Sequence, residues 1–185
     1  MKTQFKKHIL TVILLLAVSF NISAQDIPKV GGELMYPAKD IVSNAVNSKD
    51  HTTLVAAVKA AGLVSTLQSK GPFTVFAPVN SAFDKLPEGT VATLLKEENK
   101  DKLTAVLTYH VVAGKMTAKT IMKLIKKGNG KAVMKTVQGE TLTAMMNGAM
   151  NVVIQDAQGN VANISTYDVL QSNGVIHVID AVLLP

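Results

Sequence analysis

The sequence reads as an α+β domain, with helices gathered in its first half and strands in its second. Three observations carry that reading. Apolar residues recur at helical spacing as far as Gly128, from Ala132 onward they fall in short alternating segments separated by turns, and no internal repeat or low-complexity tract breaks the order.

The chain of 185 residues opens with Lys2, Lys6 and Lys7, an apolar run from Ile9 to Phe20, and Ser23-Ala24 before the polar Gln25-Asp26. This is the layout of a secretory signal peptide, residues 1–24, with cleavage after Ala24. The apolar run is shorter than the roughly 20 residues of a spanning helix, so no membrane span is expected after cleavage. Without cysteine there is no lipid-modified cysteine and no disulfide. Residues 25–39, with Pro28, Gly31-Gly32 and Pro37, read as a flexible lead-in, and residues 40–185 as one domain long enough to bury its own core. The expected location is extracellular or periplasmic.

The formal charge of +6 becomes +3 once Lys2, Lys6 and Lys7 leave with the signal. Every basic residue is a lysine and aromatics make up 4% of the chain, so the bidentate forks and stacking rings of a nucleic-acid binder are missing.

Along the domain, Leu54, Val55, Val58 and Ala61 keep helical spacing, with Thr52 or Thr53 as N-cap and Gly62 placed to end the helix. A short helical turn through Leu63, Val64 and Leu67 runs into the loop residues Ser69 to Pro72. Phe73 to Ala77 forms a strand stopped by Pro78. Asn80 or Ser81 then caps a turn carrying Ala82, Phe83 and Leu86. Leu103, Val106, Leu107 and His110 share one helical face, and Thr117 to Lys127 sets Ile121, Leu124 and Ile125 on one side with lysines around the other. Strands follow at Ala132–Val137, Glu140–Met146, Asn151–Gln155, Val161–Thr166 and Val175–Leu184, the last apolar on both faces and therefore central.

Three ordered segments resemble the fasciclin (FAS1) family. They are Gly71-Pro72-Phe73-Thr74-Val75-Phe76-Ala77-Pro78-Val79-Asn80-Ser81-Ala82-Phe83, the Tyr-His segment Leu107-Thr108-Tyr109-His110-Val111-Val112, and the closing Asn173-Gly174-Val175-Ile176-His177-Val178-Ile179-Asp180. The resemblance implies a wedge-shaped β-sandwich with helices packed along its edge, in a secreted single-domain bacterial member. It also implies a role in adhesion, through a cell-surface or matrix protein or polysaccharide. By likeness to matrix members, Tyr109 and His110 together with Asp168 and Val169 would mark a partner-binding edge.

Catalysis is not expected. His51, His110 and His177 stand far apart, and neither His-Glu-x-x-His nor Gly-x-Ser-x-Gly occurs, so no cofactor or metal is assigned. Gly128-Asn129-Gly130-Lys131 lacks the spacing of a phosphate loop and reads as a turn. His110 and His177 share faces with aliphatic neighbours, which points to buried, hydrogen-bonded structural rings. Asp180 should be paired for the same reason. Asp168, in the polar run Ser165 to Asp168, reads as exposed. Met116, Met122, Met134, Met145, Met146 and Met150 crowd one third of the chain. Such thioethers fill core gaps, line an adaptable groove or bind Cu(I). In the groove reading Met134, Met145, Met146 and Met150 would hold a lipid-like or carotenoid-like ligand, which makes carriage of an apolar molecule the alternative to adhesion.

Overall fold

The computed structural model describes residues 27–185; the expected signal peptide and its cleavage point lie outside them. The first surprise is the segment read as a flexible lead-in. Strands β1 (Lys29–Val30) and β2 (Glu33–Leu34) pair as a hairpin around Gly31-Gly32, and Val30 and Met35 are buried in the core. Both glycines take positive φ, 60° and 86°, as a two-residue hairpin turn requires. At Gly31 a Cβ would also collide with the Ser48 hydroxyl. The glycine pair that suggested flexibility is instead what lets the chain turn back on the domain.

Three helices follow, α1 (Ile41–Ala45), α2 (Thr52–Ala60) and α3 (Val64–Gln68). Gly62, at φ 72°, ends α2, with its N–H on the Lys59 carbonyl and the Leu63 N–H on that of Val58. The start of α2 differs from expectation. Neither Thr52 nor Thr53 caps it; instead the Asn80 Oδ1 accepts from the Thr53 N–H at 3.0 Å and the Thr52 hydroxyl at 3.2 Å. Asn80 is thereby spent on α2 and on the Lys49 carbonyl, and does not cap its own helix α4 (Asn80–Phe83).

After β3 (Phe73–Pro78) and α4 come α5 (Thr90–Leu94), α6 (Lys100–Tyr109), β4 (Val111–Ala113) and α7 (Ala118–Lys127). The rest is sheet: β5 (Lys131–Lys135), β6 (Thr141–Asn147), β7 (Asn151–Gln155), β8 (Val161–Gln171) and β9 (Gly174–Ile179). The seven strands run in the order β4-β3-β9-β8-β7-β6-β5. Only β3 and β9 are parallel, and β9 is buried along its whole length, as a strand apolar on both faces must be. Gly174 is required there, because a Cβ would meet the Phe73 carbonyl. A Val112–Thr136 bridge and the Val137 N–H on the Val111 carbonyl at 2.7 Å tie the two sheet ends together, so the sheet curls toward a barrel.

Two apolar clusters fill the α+β body. One lies between α1, α2, α6 and the sheet, around Leu54, Val58, Leu107, Val75 and Ile176. The other lies under α7, around Ile121, Ile125, Leu142, Ile154 and Leu183. Strand β8 runs five residues beyond its expected end, through register irregularities between Ile164, Thr166 and Val169.

Candidate functional site

The residues that the resemblance brought forward as a partner-binding edge face inward. Tyr109 has no exposed surface; its hydroxyl donates to the Thr141 carbonyl at 2.9 Å and accepts the Ala157 N–H at 2.8 Å, pinning α6 to the sheet. Burial raises its pKa, and Asp156 and Glu140 add to that against the Ala157 N–H. His110, just past the end of α6, is also buried. Its Nδ1 donates to the Val106 carbonyl at 2.8 Å and its Nε2 accepts the Leu183 N–H at 3.0 Å, which fixes the neutral Nδ1–H tautomer. Burial pulls its pKa down to about 4, although the Val106 carbonyl and Asp156 favour the charged form. Val169 is buried as well.

Asp168 is half-buried rather than exposed. It sits in the left-handed region at φ 53°, and its Oδ1 accepts the Ala118 N–H at 2.7 Å in the first turn of α7. Thr117 caps the same turn through the Thr120 N–H. The buried His177 joins this group: Nε2 donates to the Met116 carbonyl at 2.8 Å, Nδ1 faces the Asp168 N–H at 3.4 Å, and the ring stacks on Phe76 at 5.7 Å. Burial lowers its pKa against the Met116 carbonyl and Asp168. Thr74 completes the buckle by donating to the Gly114 carbonyl at 2.6 Å and accepting the Met116 N–H at 2.8 Å. Together these groups aim α7. Asp180 accepts from the Asn163 backbone and side-chain amides at 2.8 and 3.0 Å. These bonds and Lys85 overcome partial burial and lower its pKa.

The helix so aimed carries Lys119, Lys123, Lys126 and Lys127, all exposed. At 3.6 residues per turn the four fall within roughly a 100° arc, opposite the buried Ile121 and Ile125. No acidic residue occurs between Asp101 and Glu140, and none of the four lysines is in a salt bridge among the described residues. Lys119–Lys123 and Lys123–Lys127 are like-charge pairs at i,i+4, which destabilise a helix by a few tenths of a kcal/mol each. An anion along the stripe would relieve that repulsion.

The methionines do not form a groove together. Met134 is buried in the cluster under α7, Met145 is half-buried on the outer side of β6, and Met146 and Met150 are exposed at the β6–β7 hairpin. Strand alternation disperses them, because sequence crowding says nothing of which face each residue takes.

Space for an apolar molecule lies elsewhere. A cavity of about 220 Å³ opens between α1, α2, α3 and the β3–β9 face, lined by none of those four methionines. Most of its polar side chains are spent internally: the Ser48 hydroxyl on the His51 Nδ1 at 2.8 Å, the Thr108 hydroxyl on the Thr104 carbonyl at 2.7 Å, and both His110 nitrogens as above. The His51 Nε2 is the exception, a buried nitrogen with no hydrogen-bond partner. Burial lowers its pKa against the Ala77 backbone and Asp50. Among the described residues Lys59 alone of the lining is charged, and it stands exposed at the rim with Thr66 and Val46. Helical spacing marks Leu54, Val55 and Val58 as inward-facing but gives no sign that the layers they face leave a cavity between them.

The family model described as "Fasciclin domain" matches residues 49–185. Protein sll1483 of Synechocystis sp. is 49% identical over 149 residues, covering 80% of this chain and 74% of the relative. Immunogenic protein MPB70 of Mycobacterium bovis is 36% identical over 146 residues, covering 76% and 66%. Among solved structures, a FAS1 domain pair from the insect cell adhesion molecule fasciclin I superposes with TM-score 0.70 at 20% identity, over 80% of this chain and 51% of that one.

Proposed function

The chain belongs to the fasciclin domain family, and from that membership we propose that it is an exported, non-catalytic adhesion module that grips an anionic polysaccharide of a cell surface or matrix. The lysine stripe of α7 carries this reading. Four exposed ammonium groups on one arc, none of them in a salt bridge among the described residues, make a positive potential that a polyanion satisfies. Lysines act as hydrated point charges. They suit diffuse, geometry-tolerant attraction to a flexible polyanion, whereas bidentate recognition of individual carboxylates would favour arginine. The buried Tyr109, His110 and Val169 and the capping Asp168 support the reading indirectly, by holding α6 and α7 in place.

Retention on immobilised alginate, with neutral dextran as control, tests the proposal. Binding should fall steeply with salt, since the screening length shrinks from about 30 Å at 0.01 M to about 3 Å at 1 M. The fourfold variant Lys119→Gln, Lys123→Gln, Lys126→Gln, Lys127→Gln should melt like the parent and lose most retention. Parent-like retention of that variant, or equal binding to dextran, would sink the idea.

A further inference from the structure

The cavity between α1, α2, α3 and the sheet has its own chemistry, independent of the lysine stripe. We propose that it binds a single-chain anionic amphiphile, a fatty-acid-like carboxylate, with the alkyl chain inside and the head group at Lys59. The interior is walled by aliphatic side chains, including Val58, Val75, Ile176 and Val178, and offers water too few polar partners to hold an ordered cluster. The volume of about 220 Å³ suits one alkyl chain rather than the two of a membrane phospholipid. Charge complementarity picks the head group. With the Ser48 and Thr108 hydroxyls and His110 already bonded, and the His51 Nε2 left as a buried polar atom without a partner, the one full charge a ligand meets is the Lys59 ammonium, exposed at the rim and in no salt bridge among the described residues. A carboxylate there keeps its solvation while the chain leaves water.

The test titrates lipid-stripped protein with laurate and, separately, with dodecanol, by calorimetry. Laurate should bind one per chain, and dodecanol about fivefold more weakly, the scale of an exposed ion pair. In Lys59→Gln the two ligands should bind alike. Ala45→Phe, which fills the cavity from α1, should lose laurate binding tenfold or more while melting no lower than the parent; if it does not fold, Val64→Trp provides the plug from α3. The fourfold α7 lysine variant should bind laurate like the parent. The proposal is overturned if laurate does not bind, if a folded plugged variant still binds it, if Lys59→Gln keeps the laurate preference, or if the α7 variant loses laurate.

Discussion

His110 shows how one ring can hold two parts of the chain by having a single tautomer. Protonating Nε2 would turn the acceptor of the Leu183 N–H into a donor facing it. The unfolded chain takes up this proton near pH 6.5 and the native state only near pH 4. As pH falls below 6.5 the unfolded state therefore binds protons first, and stability drops, by about 3 kcal/mol once pH 4 is reached; above 6.5 both states are neutral and the contribution is flat. His51 and His177, also lowered by burial, act with the same sign. Urea unfolding from pH 7 to 4 should show this slope, and His110→Gln should flatten it while lowering the plateau. An unchanged slope would mean that His110 is not the group responsible. At Asp168, Ala would remove the cap on Ala118 and put a residue that tolerates the left-handed region less well than aspartate at φ 53°, a cost of about 1–2 kcal/mol. Asn keeps the acceptor and tolerates that backbone, so Asp168→Asn should recover most of the loss in melting temperature. Periodicity was enough to bury His110 and His177, because each shares a face with aliphatic residues. It failed at Asp168 because the irregular stretch of β8 turns part of a polar run inward, and no spacing rule foretells a bulge.

At the scale of elements, the sequence located α2, α3, α4, α6, α7, β3 and β5 to β9, with their ends less well placed, and missed β1, β2, α1, α5 and β4. The segment Asn151–Gln155 matches residue for residue, whereas the last strand stops at Ile179, before the chain bends to bring Leu183 under α7. Caps supplied from a distance are the harder case. Asn80 serves α2 across 27 residues, and local reading assigns it to the helix it sits beside. Asn80→Ala should therefore destabilise by about 1–2 kcal/mol, with hydrogen exchange rising at Thr53 rather than along α4. Protection lost mainly in α4 would restore the local assignment. The amino-terminal hairpin gives the larger effect. A chain begun at Asp40 loses buried Val30 and Met35, worth about 1.5–3 kcal/mol each, and denaturant midpoints should fall accordingly. A midpoint equal to that of the longer chain would return these residues to the status of a loose lead-in.

For the whole molecule, the division into a helical half and a sheet half was legible, as was a fold with the last strand in its middle. Neither the curl that joins β4 to the end of β5 nor the cavity could be read, since both depend on how two well-formed layers fit together. Periodicity reports which residues face inward and is silent on whether they meet. The position of β9 also bears on how the molecule is made. Its parallel partner β3 lies about a hundred residues earlier, and the ladder between them forms the middle of the sheet. During synthesis β3 emerges with an edge that stays unpaired until β9 has followed, so pairing is slow and aggregation-prone if the chain is left to itself. Until β9 has been made the middle of the sheet cannot close, and the roughly one hundred residues between the two strands wait on that one pairing.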